Sequence, residues 1–232
     1  MAFGNGPKIV TDGLVLALDA ADRNSYVSGS MIWNDLSGNN NNGSLVNGPT
    51  FSTANGGSIV FDGTDDYVSV PKQTAFVNAT TFTLAAFMKR RLTNSVVICF
   101  QGAVFNNDIA FELWNDNFAY FEVGNGSNSY GYIANTSTNW QYLTMVFDGT
   151  QTGNSNRLKC YINGILLGVN YSGTIPATTS ASNSVFSIGN SQGIGGNYSD
   201  GNIANVQIYN RPLSATEVSQ NYNAQKSRFN IA

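Results

Sequence analysis

Apolar and polar residues alternate along this chain in short runs, each interrupted by glycine, asparagine or proline. Residues 201–223 show the pattern most fully. Ile203, Asn205, Gln207 and Tyr209 fall on one side and Ala204, Val206 and Ile208 on the other, the period-two signature of a half-buried strand. Asn210-Arg211-Pro212 breaks the strand, because proline donates nothing to a ladder and extends the residue before it. A short helix is predicted next, ending near Ala224. Ser214 and Glu217 have the spacing of a capping box, and Leu213 and Val218 that of a hydrophobic staple.

Upstream, residues 9–10, 14–18, 58–61, 67–70, 82–88, 96–101, 109–114 and 118–123 read as strands, followed by 140–147, 157–162, 165–169 and 185–188. Asn163-Gly164 calls for a type I′ hairpin. The asparagine run within residues 37–43 reads as a loop tip that tolerates left-handed backbone. Many short strands and one late helix predict an all-β, two-sheet antiparallel β-sandwich. Residues 1–8 are expected to form a flexible, glycine-rich arm, and 9–232 a single domain without repeat or linker.

Composition narrows the partners. Charged residues make up 11% of the chain, against roughly 25% in an average protein, and the net charge is −3. Solubility must rest on Asn, Ser, Thr and Gly. With no basic run or stripe, nucleic acid and anionic membranes are excluded as expected partners. The apolar run 14–18 is too short for a membrane span or a signal peptide and is bracketed by Asp12 and Asp19, so synthesis in a cytoplasm is expected. Cys99 and Cys160 sit in strand-like runs and read as two buried free thiols, with a disulfide between them as the alternative. The chain has no histidine, which rules out histidine-based triads, acid–base pairs and zinc sites.

Three blocks carry a resemblance. They are Gly57-Ser-Ile-Val-Phe-Asp-Gly-Thr-Asp-Asp-Tyr-Val68; Asn139-Trp140 with Leu143-Thr-Met-Val-Phe-Asp-Gly149 and Tyr161-Ile-Asn-Gly164; and the closing Gly201–Val218 run. In this order they resemble laminin-G-like domains, the concanavalin A-like jelly rolls, over nearly the whole chain. The resemblance implies a jelly-roll β-sandwich with one short C-terminal helix. It implies less about function, since sugar binders, adhesion modules and virion proteins share the scaffold. Gly13-Leu-Val-Leu-Ala-Leu-Asp-Ala-Ala21 and Trp33-Asn-Asp-Leu-Ser-Gly38 are similar to versions carried by tailed phages as structural or appendage proteins.

Two clusters offer chemistry. If Ile109, Phe111 and Leu113 share a buried face with Ala119, Phe121 and Val123, then Glu112 opposes Tyr120 and Glu122 lies diagonal to Glu112. That spacing admits paired-carboxylate glycoside chemistry. However, the Glu-x-Asp-x-x-Glu run of the glucanase relatives is missing from Glu112-Leu-Trp-Asn-Asp116, and such residues more often form the solvated side of a sheet. No catalytic residue is therefore assigned. Trp114, Tyr120, Tyr130 and Tyr132, with Glu112, are the candidate glycan-binding face, the alternative being aromatics packed under a loop. The resemblance also raises calcium, with Asp62, Asp65, Asp66 and Asp200 as the available carboxylates. The Asp62–Asp66 run reads more simply as a turn, and Ala204 and Asn205 stand where metal-binding relatives carry acids, so no metal or cofactor is expected.

The resulting expectation is a non-catalytic structural virion protein, a phage capsid decoration or tail/appendage subunit. Its partners would be other virion proteins or copies of itself, with host-surface glycans as further candidates. The alternative is a glycan-binding, lectin-like module, and a glycan hydrolase stands third.

Overall fold

The computed structural model describes residues 8–91, 96–101, 106–181, 186–191 and 197–231, with the backbone alone for 96–101. The first strands are β1 (Leu14–Asp19), β2 (Ile32–Trp33), β3 (Gly43–Val46), β4 (Thr50–Ser52), β5 (Ser58–Asp62) and β6 (Tyr67–Val70). The middle of the chain gives β7 (Thr81–Arg90), β8 (Val96–Gln101), β9 (Ile109–Leu113), β10 (Phe118–Val123), β11 (Tyr130–Ala134) and β12 (Gln141–Asp148). The last are β13 (Leu158–Ile162), β14 (Ile165–Leu166), β15 (Asn170–Ser172), β16 (Phe186–Ile188) and β17 (Asp200–Tyr209), before the helix Ala215–Gln225.

These strands form two antiparallel sheets. One has eight strands in the order β14-β13-β12-β7-β17-β5-β4, with β1 also on β17. The other has nine, in the order β15-β11-β10-β9-β8-β16-β6-β3-β2. The core lies between them. Leu84, Ala86 and Met88 of β7 and Leu143, Met145 and Phe147 of β12 meet Phe111, Leu113, Phe121 and Val123 from the other sheet in one buried cluster. Two sheets closing over a single apolar layer are the expected jelly roll.

The hairpin at Asn163-Gly164 has both residues at positive φ (52° and 78°), the geometry a type I′ turn requires. Leu213 and Val218 are buried together, and Ser214 and Glu217 exchange both capping-box hydrogen bonds. Some expectations give way. Residues 9–10 are not a strand: the Val10 amide donates to Asn221 Oδ1 (2.7 Å) and its carbonyl accepts from the Tyr209 hydroxyl (3.0 Å), so side chains replace a ladder. The 165–169 run stops at Leu166, and residues 170–172 join the other sheet beside β11. The strands β2, β3, β4, β11 and β15 are short, polar or glycine-containing, and alternation alone does not reveal them.

The closing strand is not half-buried either. Both faces of β17 are covered, and a bulge changes its alternation: Ile203 pairs with Met88 while Asn205 pairs with the adjacent Phe87. Ile203 therefore joins Val206 and Ile208 in the core, while Ala204 packs under the helix. The helix turns Val218, Asn221, Tyr222 and Gln225 onto the outer face of the eight-stranded sheet, the i, i+3, i+4, i+7 spacing of a docked face. Two of those four are amides. Gln225 Oε1 accepts from Asn205 Nδ2 at 2.7 Å, and Asn221 Nδ2 donates to the Tyr209 hydroxyl at 2.9 Å.

Candidate functional site

The predicted register forms. Leu113 pairs with Ala119 and Glu112 with Tyr120, while on the other side of β10 Tyr120 pairs with Tyr132 and Glu122 with Tyr130. Alternation fixes the rest: Phe111, Ala119 and Phe121 point into the core, so their neighbours point out of the nine-stranded sheet. Trp114, Phe118, Tyr120, Tyr130 and Tyr132 gather there, all partly exposed. Tyr120 stands at the centre, 5.5 Å from Tyr130, 6.1 Å from Tyr132, 6.3 Å from Phe118 and 6.4 Å from Trp114 between ring centroids. Phe118 was not singled out in the sequence, although its parity with Tyr120 puts it on this face.

Local structure holds the platform. Asn117 takes a left-handed backbone (φ 70°), which turns β9 into β10 and lets the Trp114 amide donate to the Phe118 carbonyl at 2.9 Å. Asp116 accepts from the Tyr120 hydroxyl at 2.7 Å. Beneath it, Arg90 of β7 is 1% exposed and donates to the carbonyls of Ser137 (3.0 Å), Trp114 (3.3 Å) and Asn135 (2.5 Å). This guanidinium is paired with backbone rather than with a carboxylate. It ties the β9–β10 turn to the segment after β11 from inside the sandwich.

The acids of this face differ from the expectation of solvated side chains. Glu112 is 6% exposed and Asp108 5%, and Glu122 hydrogen-bonds Asp108. Burial pushes Glu112 up to about 7; the Trp114 indole, bonded to it, restrains the rise and the charge of Asp108 adds to it. Burial, then the charges of Glu112 and Asp108, push Glu122 up to about 9. Burial also raises Asp108. Two carboxyls in hydrogen-bond contact must share a proton, so the group carries O–H donors near neutral pH. Asp108 was missed in the sequence because it precedes β9, but its even parity with Glu112 is the signal.

Among the acids named for calcium, the carboxylates of Asp62, Asp65 and Asp66 converge, with ligand atoms within 4.8 Å of one another. Two of them already serve the β5–β6 turn: Asp66 Oδ2 accepts from the Asp62 amide (3.1 Å) and Asp62 Oδ1 from the Thr64 amide (2.8 Å). Asp200 instead pairs with Arg91 at 3.1 Å. Calcium takes about six to eight oxygens, so the three converging carboxylates would supply only part of a shell. Ala204 and Asn205 are buried under the helix and serve packing there. Cys160 is a buried free thiol, while the side chain of Cys99 and residues 1–7 of the arm lie outside the described residues.

Comparison with known proteins sets this arrangement in a family. No curated protein sequence matches the chain. The sialidase of Trypanosoma rangeli in complex with sialic acid superposes with a TM-score of 0.68 at 17% identity, over 98% of this chain and 37% of that one. The binding domain of botulinum neurotoxin DC in complex with SialylT gives 0.65 at 15%, over 93% and 52%. A botulinum neurotoxin type C structure, whose cell entry depends on two ganglioside molecules, gives 0.65 at 15%, over 93% and 52%. The chain thus spans about a third to a half of these neighbours, and at such identities the likeness is one of fold. The family model of the concanavalin A-like lectin/glucanases superfamily, in its laminin-G-like form, matches residues 62–219, and the chain belongs to that family.

Proposed function

We propose that the protein is a non-catalytic glycan-binding module that uses the outer face of its nine-stranded sheet. The carrying observation is the platform itself: five aromatic rings side by side, each partly exposed, on a sheet face that bears no helix among the described residues. Aromatic rings offer apolar area to the C–H faces of sugars, and phenol hydroxyls and carboxyls offer hydrogen bonds to sugar hydroxyls. The edge strand β15 adds Asn170 and Ser172 beside Tyr132 and Tyr130. Against catalysis, Glu112 is buried and bonded by the Trp114 indole and Glu122 is bonded to Asp108, so each carboxyl already serves a neighbour. The fold neighbours in complex with sialic acid and with SialylT, and the neurotoxin whose cell entry depends on two ganglioside molecules, support a sugar-binding reading in general terms.

The setting we propose for this module is a phage virion, as a capsid decoration or tail/appendage subunit. Support comes from the phage-like blocks at Gly13–Ala21 and Trp33–Gly38 and from the low charge, which suits close packing of many copies. Calorimetry against a broad panel of oligosaccharides, with calcium and then with chelator, tests the binding function. Saturable binding that Tyr132→Ala weakens about tenfold is the expected result; absence of any binding would overturn it. Antibody labelling of intact particles tests the setting, and unlabelled particles would remove it.

A further inference from the structure

Resting on the glycan-binding reading, we infer that this face selects uncharged glycans and excludes sialylated and other anionic ones. The inference comes from what lines the platform. Asp108, Glu112 and Glu122 lie on the same face as the rings, and Asp116 holds the hydroxyl of the central Tyr120. Among the described residues no cation is paired with these four acids. The four ion pairs of the described residues involve Asp12, Asp19, Asp200 and Glu217, and the two cations over rings sit on Tyr222 and Phe229. None of the charges acting on Asp108, Glu112, Glu122 or Tyr120 is positive. Arg90 reaches the platform only from below, buried and with three of its N–H groups on backbone carbonyls.

Recognition of a sugar carboxylate or sulfate calls for a guanidinium, an ammonium or a cluster of backbone amides aimed at the anion. Here an incoming carboxylate meets the exposed carboxylate of Asp116 beside the central Tyr120, with no guanidinium or ammonium of the described residues beside it to offset the repulsion. A neutral sugar meets a different surface. Its hydroxyls both donate and accept, which suits a shared-proton carboxyl pair, and its C–H face suits the rings. One scaffold can carry many binding faces, so the choice of sugar lies in the side chains of this face.

The test uses the full-length protein and two series of probes. The first is a panel of neutral oligosaccharides of glucose, mannose, galactose and N-acetylglucosamine. The second is the sialylated or uronic-acid counterpart of each one bound. Titration calorimetry at low salt should give binding to at least one neutral probe, and affinity for its anionic counterpart lower by at least about tenfold. That gap should narrow at high salt, since screening weakens repulsion between exposed charges. Asp116→Asn should narrow it as well, because Asp116 is exposed and its removal leaves the sandwich core untouched. Equal or tighter binding of the anionic counterpart would overturn the inference while leaving the glycan-binding reading in place. Binding to neither series would bring down that reading and the inference with it.

Discussion

The two outer sheet faces of this sandwich are built from similar material and put to different use. Each carries a cluster of aromatic rings. On the eight-stranded sheet, Phe87 stacks on Phe229 at 4.2 Å and lies 4.7 Å from Tyr142, and the C-terminal helix adds Tyr222. There the aromatics are buried, and polar groups between sheet and helix are satisfied by Asn205, Gln207, Asn221 and Gln225. On the nine-stranded sheet the rings remain partly exposed, and the polar groups beside them are carboxyls and phenols. The difference teaches that an aromatic cluster is not by itself a site. What separates core from candidate site is whether the chain supplies its own cover.

Breaking the covered face should have the largest effect. Phe87→Ala is expected to cost roughly 3–5 kcal/mol of stability, the usual loss for truncating a buried aromatic, measured by urea denaturation. If Phe87→Ala were nearly neutral, the helix would not be an integral layer.

Next in size is pH dependence, and here the two faces differ in sign. Glu112 and Glu122 have folded values raised to about 7 and about 9 from 4.5. Their contribution is therefore complete below about 4.5 and is lost as pH rises through about 7 and then about 9. Glu217, at the helix start, is held down to about 2, first by its hydrogen bond to Arg211, so its contribution is present above about 4.5 and is lost as pH falls through about 2. Thermal melts from pH 5 to pH 9 should show a falling midpoint, and Glu122→Gln should flatten that fall. An unchanged slope in Glu122→Gln would mean that Glu122 and Asp108 do not share a proton.

Tyr132→Ala sharpens the contrast from the open side. Its stability should stay within about 1 kcal/mol of the parent, while glycan affinity falls about tenfold, near the 1.4 kcal/mol that one aromatic contact supplies. The smallest effect is expected at the helix cap. Ser214→Ala removes the side chain that accepts from the Glu217 amide and should cost about 1 kcal/mol, read from the same urea curves.

The covered face was the less legible of the two in sequence. The capping box and staple could be read because their spacing is local and fixed by helix geometry. The helix face could not, because Asn221 and Gln225 are polar residues at buried positions, and their partners Asn205 and Gln207 lie on a strand shifted by a bulge. On the open face, the β9–β10 register followed from alternating core residues, and it carried Trp114, Tyr120 and Glu112 with it. Tyr130 and Tyr132 were named without their strand. Gly131 interrupts the apolar alternation there, and a Cβ at that position would lie 2.7 Å from Val169 Cγ1. Arg90 was invisible as a support, since burial of a charged residue at a strand end depends on three carbonyls far along the chain.

The chain's three tryptophans report on the three environments separately. Trp33 is in the core, Trp140 packs on Phe229 with its indole bonded to Asn55, and Trp114 stands on the open face with its indole bonded to Glu112. We would follow the three indole N–H signals by NMR while adding a neutral oligosaccharide. The account predicts that the Trp114 signal moves in a saturable way and the other two stay in place. A saturable shift of Trp140 with Trp114 unmoved would place sugar binding on the helix-covered side and contradict the account.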